Sequence, residues 1–130
     1  MKPLLKLIFP AIVAFPVAAM AASAASSLAG SEWGIAGQDM PFIHFEAEGR
    51  VAGHAGCNRF FGGYEVNGEA IAIGPLATTY MACLPDVMAA ERRFLEALEK
   101  AAVFERDGVK LTIRDGAGEL LLELIQRDWD

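Results

Sequence analysis

Two segments in the middle of the chain hold its only two cysteines. They are Gly53-His54-Ala55-Gly56-Cys57-Asn58-Arg59-Phe60-Phe61-Gly62-Gly63-Tyr64 and Thr78-Thr79-Tyr80-Met81-Ala82-Cys83, with an Asn67-Gly68 hairpin signal between them. A bond between Cys57 and Cys83 would tie two strand ends together across that hairpin. In a chain of 130 residues such a tie would decide which elements can be neighbours.

The N-terminus supports an oxidising destination. Lys2 and Lys6 precede an apolar run from Leu7 to Val17, and small residues then offer cleavage sites at Ala19-Met20-Ala21 and Ala22-Ser23-Ala24. Residues 1–24 read as a cleaved signal peptide, 25–30 as a linker and 31–130 as one domain. Pro10 and Pro16 interrupt the run, which is shorter than the ~20 apolar residues a membrane span needs. An uncut N-terminal anchor is the rival reading. No cysteine stands near the cleavage sites to accept a lipid, so the expectation is a soluble periplasmic protein.

Export favours a structural disulfide between Cys57 and Cys83 over buried free thiols. Closing a loop of this length stabilises by roughly 3 to 4 kcal/mol on chain-entropy reasoning. Two functional alternatives use the same residues. Zinc would need Cys57 and Cys83 with His54 and His44, but structural zinc sites usually present two ligand pairs, and Cys83 has no partner close in sequence. A thiol enzyme would use Cys57 with His54 or His44 as base and Arg59 to lower the thiol pKa, yet no third group stands out to orient the base. The sequence favours no catalytic residue, no metal and no cofactor.

Charge narrows the partners. The formal net charge is −6, and removing Lys2 and Lys6 takes it to −8 because residues 1–24 hold no acid. Nucleic acid and anionic lipid both demand a basic face. A protein or small-molecule partner is left, with the chain expected to be a monomer.

Short alternating segments follow the linker: Trp33 and Ile35; Ile43, Phe45 and Ala47; Val51 after a Glu48-Gly49 turn; Phe61 to Val66; Ile71 and Ile73; and Leu76 to Met81. Asn67-Gly68 would turn one hairpin with positive φ at both positions. A helix is predicted from Pro85 or Asp86 to Lys100, with Pro85 in the first turn and Asp86 on the positive end of the dipole. Val87, Phe94, Leu95, Leu98 and Ala102 form its apolar stripe. Asp107-Gly108 then joins Val103–Glu105 to Val109, Leu111 and Ile113, and a last strand over 119–126 carries Leu120, Leu122 and Leu124 on one face. The fold class is α+β and mostly antiparallel: a small, twisted, partly closed barrel-like sheet of about seven to nine strands with one packing helix at about 85–100.

Glu91 interrupts the helical stripe. With Val87 at zero on a wheel, it falls at about 40°, between Leu98 at about 20° and Ala102 at about 60°. A carboxylate there must find a partner, and Arg59 is the favoured one, through a two-pronged ion pair. Asn58 is read as closing its own turn. Phe60, Phe61, Tyr64 and Tyr80 are read as packing at the sheet mouth, and Trp129 as sealing the core.

Gly56-Cys57-Asn58-Arg59-Phe60 with Tyr64, then Thr79-Tyr80-Met81-Ala82-Cys83, then Glu91 and Leu98, together resemble a META domain, the domain of the HslJ-type heat-shock proteins of bacterial envelopes. The resemblance runs from about Gly30 to the C-terminus. It implies a small β-rich fold with a packing helix, linked to stress or antibiotic tolerance and without an established enzymatic activity. Export, the expected disulfide, an acidic surface and the lack of a catalytic constellation add the expectation of a non-enzymatic protein that acts by binding or by envelope support. An inhibitor or binding module for an envelope enzyme is the alternative. Several bacterial members are lipoproteins, and anchoring is not carried over to a chain without the acceptor cysteine.

Overall fold

A computed structural model of the protein describes residues 28–127. The segment read as a signal peptide, residues 25–27 of the 25–30 linker and Trp129 lie outside the described residues. Eight strands and one helix follow in order: β1 Ser31–Gly34, β2 Phe42–Glu46, β3 Arg50–His54, β4 Arg59–Asn67, β5 Ala70–Thr78, α1 Pro85–Lys100, β6 Val103–Asp107, β7 Lys110–Arg114 and β8 Leu120–Arg127. Every strand pairs antiparallel with its neighbours in sequence, and β8 returns to β1, so the sheet closes into an eight-stranded ring. No described helix is long and apolar enough to cross a membrane.

The ring closes unevenly. Along most seams four or more residue pairs face each other, but β5 and β6 meet only at Ala70 and Val103. Helix α1 connects those two strands and packs on β5 and β8. Its first residue, Pro85, needs no intrahelical donor, and Asp86 lies in the first turn as the sequence reading expected. The helix buries Glu91, Phe94 and Leu98 and leaves Val87 and Leu95 half-buried.

Inside the ring, Trp33, Ile43, Phe45, Val51, Phe60, Ile71, Ile73, Phe104, Leu111, Ile113 and Leu124 form one core with Phe94 and Leu98 of the helix. Phe60 meets Phe94 edge-on at 6.0 Å between centroids, joining the sheet to the helix. Strand period sends alternate residues outward, so Phe42, His44 and Glu46 of β2 face away from the core.

Several local expectations shift. The β4–β5 hairpin turns at Gly68-Glu69, not Asn67-Gly68, because Asn67 pairs with Ala70. Among the described residues Glu48 alone outside glycine has positive φ, so Gly68 at +66° is a single left-handed residue in first place, the pattern of a II′ turn. The same holds at Gly108-Val109, which leaves Val109 exposed at the tip. Ile71–Ile73 and Leu76–Met81 are not separate strands. They fuse into β5, which ends at Thr78 and bends where its pairing with β4 shifts register between Gly62 and Tyr64. A second shift, opposite Ile113 and Arg114, turns Leu120 out to solvent, while both Leu121 and Leu122 pack against the core.

Candidate functional site

The turn between β3 and β4 is built around a buried carboxylate. The Ala55 N–H closes the turn on the Asn58 carbonyl at 2.8 Å, and Gly56 sits at φ +131°, a left-handed conformation that favours glycine. This shape aims two successive amides inward. The N–H groups of Cys57 and Asn58 donate to Glu91 Oε1 at 2.9 and 2.6 Å, and Asn58 Nδ2 donates to Oε2 at 2.8 Å. Glu91 is 5% exposed and Asn58 3%. Burial pushes the Glu91 carboxyl up, but the Asn58 side chain, the two backbone amides and the nearby His54 pull it, on balance, below the usual glutamate range.

Asn58 spends both ends of its amide. Its Oδ1 accepts from the Met81 N–H at 2.6 Å and from the Thr79 hydroxyl at 3.0 Å, while Nδ2 also donates to the Met81 carbonyl at 3.3 Å. The Met81 N–H can only donate, so it identifies the oxygen end of the carboxamide. Thr79 Oγ1 in turn accepts from the Arg59 N–H at 3.1 Å. Cys57 and Cys83 are disulfide-bonded, with Cα atoms 6.1 Å apart. One side chain and one covalent bridge therefore hold the β3–β4 turn, the 79–84 segment and the helix together.

Arg59 is not the partner of Glu91. Its side chain is exposed, and among the described residues no ion pair joins the two. The physical reason lies in the donors already present. Two amides and a carboxamide satisfy the carboxylate without burying a second charge, whose desolvation costs several kcal/mol on order-of-magnitude grounds. The sequence reading missed Asn58 as that partner, although a residue that can donate and accept at once was its signal.

The other motif residues separate. Phe60 is core, with its ring against helix α1. Tyr64 lies farther along β4, edge-on to Phe45 at 4.9 Å, and its hydroxyl donates to the Glu46 carbonyl at 3.2 Å. Phe61 and Tyr80 do not pack at a sheet mouth, being 52% and 97% exposed. Met81 contributes its backbone to the clamp and turns its side chain outward. His54 Nδ1 accepts from the Gly56 N–H at 3.2 Å, while His44 Nδ1 lies 3.5 Å from Glu32. Neither imidazole joins the cysteines, and no group of three or more His, Cys, Asp or Glu side chains among the described residues could hold a metal.

The arrangement also leaves a segment held from behind and bare in front. Thr79 to Leu84 has five hydrogen bonds to Asn58 and Arg59 plus the disulfide at Cys83, yet Tyr80, Met81 and Leu84 are all exposed large side chains.

Solved structures share this fold. A protein from Burkholderia xenovorans, determined by NMR, aligns with 92% of this chain and 97% of its own at 18% identity, with a TM-score of 0.66. Another protein determined by NMR aligns over 77% of this chain and 92% of its own at 20% identity and a TM-score of 0.60. A DUF4847 family protein from Bacteroides vulgatus aligns over 69% of this chain at 18% identity and a TM-score of 0.58, and the chain spans 61% of that protein's length. No curated protein matches the sequence. The sequence does match the META domain over residues 21–128, and so the clamp of Cys57, Asn58, Glu91 and Cys83 is a feature of a chain that belongs to the META domain family.

Proposed function

We propose that this is an exported, non-catalytic binding protein of the cell envelope, serving in stress tolerance and engaging a protein partner through the rigid 79–84 segment. The supporting observation is how the motif's reactive atoms are spent. Both sulfurs are in the disulfide, both Glu91 oxygens accept hydrogen bonds, and both ends of the Asn58 amide are occupied, while Tyr80, Met81 and Leu84 face solvent. An exposed aromatic on a pre-ordered segment loses little further entropy on binding, which is the economy of interface hot spots. Membership of the META family favours the stress-related, envelope setting.

Site-specific photo-crosslinking tests this reading. A crosslinker at position 80 of the exported protein should give one discrete adduct, lost when Leu84→Ser is added. The same crosslinker at position 109, on the exposed β6–β7 tip, is the comparison. Equal adducts from both positions, or none from position 80, would contradict the proposal.

A further inference from the structure

The outer face of β2, β3 and β4 carries an arrangement that the clamp does not use. Cross-strand pairing sets Phe42 opposite His54 and His54 opposite Arg59, so an aromatic ring, an imidazole and a guanidinium stand in one row across three strands. In the next row, His44 and Phe61 stand on either side of Ala52. Directly opposed residues on one face have Cβ atoms about 4.5–5.5 Å apart. With only a methyl group between His44 and Phe61, the face is hollow there, and a groove of about 390 Å³ opens along Met40, Phe42, His44, Ala52, His54 and Arg59.

The polar atoms around this groove are unequally spent. Glu32 already faces Arg127 and His44 at 3.4 and 3.5 Å, and Glu46, at the groove's other end, faces Arg50 at 3.9 Å. Arg127 also lies over the Phe42 ring at 4.6 Å. By contrast, the Arg59 guanidinium has no ion pair or hydrogen bond among the described residues. His54 has its Nδ1 occupied by the Gly56 N–H, which places the proton of the neutral ring on Nε2. Two donors therefore stand side by side with no acceptor between them, in a chain whose net charge is −6. A basic pair beside an apolar shelf complements an anion that carries a flat apolar body.

We propose that this groove binds a small organic carboxylate: Arg59 and His54 take the carboxylate, and Phe42, Met40 and Ala52 take the apolar body. The site is separate from the 79–84 docking segment and does not depend on it. Arg59 serves as the principal anchor because a guanidinium holds a carboxylate in two parallel hydrogen bonds. Phe42 supplies a ring face for stacking, and its contact with Arg127 holds that ring in place.

The test is an NMR titration of the oxidised mature protein with benzoate, acetate and benzyl alcohol, reading the amides of Phe42, His54 and Arg59. Benzoate should give saturable shifts in the millimolar range, while acetate lacks the body and benzyl alcohol lacks the charge, so neither should saturate there. Arg59→Ala and Phe42→Ala should each weaken benzoate by about tenfold, the worth of one good polar or stacking contact. Arg59→Ala keeps the backbone bond to Thr79, so an unchanged spectrum elsewhere separates lost binding from lost fold. Non-saturating benzoate shifts, benzyl alcohol or acetate binding as well as benzoate, or an unaffected Arg59→Ala variant would overturn the proposal.

Discussion

Glu91 and Asn58 are joined at two points: the Asn58 backbone amide reaches Oε1 at 2.6 Å and its side-chain amide reaches Oε2 at 2.8 Å. They stand 33 positions apart, on a helix and on a strand-joining turn. The acceptor needs both oxygens, because donors meet it on each. Glu91→Gln preserves shape but sets an NH2 group against either Asn58 Nδ2 or the two backbone amides. The expected cost is about 2 to 4 kcal/mol, as for a buried charged partner removed. Urea unfolding checks it, and a loss below about 0.5 kcal/mol, the range of ordinary surface changes, would contradict the clamp.

Acid should loosen the same joint. The folded carboxyl titrates below the usual glutamate range, so the native state favours the ionised form more than the unfolded chain does. Its contribution is fully present above the unfolded glutamate value of about 4.3 and is lost as pH falls through the lower folded value. Stability measured from neutral pH downward should therefore converge for wild type and Glu91→Gln. A gap that stays constant down to the acid transition would assign the stability to shape and not to charge.

Reducing the disulfide should free the exposed segment before the ring. Cys57→Ser with Cys83→Ser is expected to cost about 3 to 4 kcal/mol for a loop of this length. Hydrogen exchange should rise first at Met81, whose amide is held only by Asn58 Oδ1 among the bonds described. Uniform acceleration across β6, β7 and β8 would mean that the bridge supports the whole sheet instead.

Gly53 marks where sheet and core touch most closely. A Cβ there would lie 2.7 Å from the Phe60 ring and closer still to the Phe42 carbonyl oxygen. Gly53→Ala should destabilise by about 1 to 3 kcal/mol or more through overpacking. Gly116→Ala, where nothing lies within 4 Å of the added methyl, should be nearly neutral. Thermal unfolding of the two variants makes the comparison, and equal shifts would contradict the packing argument.

How far the sequence could be read depends on the range of the interaction. Helix α1 was legible to its first and last residues, because Pro85 and the apolar stripe act locally. Glu91 was legible as a buried anomaly for the same reason. Its partner was not, since opposite charge pointed to Arg59, whereas the turn geometry that aims the Cys57 and Asn58 amides exists only once Gly56 takes φ +131°. The hairpin turns were misplaced by one residue because glycine suits either central position, and only the pairing of Asn67 with Ala70 and Asp107 with Lys110 decides. The row of Phe42, His54 and Arg59 was invisible because it depends on the register of three strands.

The central claim is that the cysteine motif is a structural clamp and not a reaction centre. Intact mass and thiol titration of the mature protein, purified from the exported fraction without reductant or chelator, test it most directly. The expected result is a mass two hydrogens below the reduced chain, with no reactive thiol and no bound metal. Two free thiols, one of them reacting rapidly with a thiol reagent, or an added metal mass, would contradict it and make Cys57 a functional sulfur.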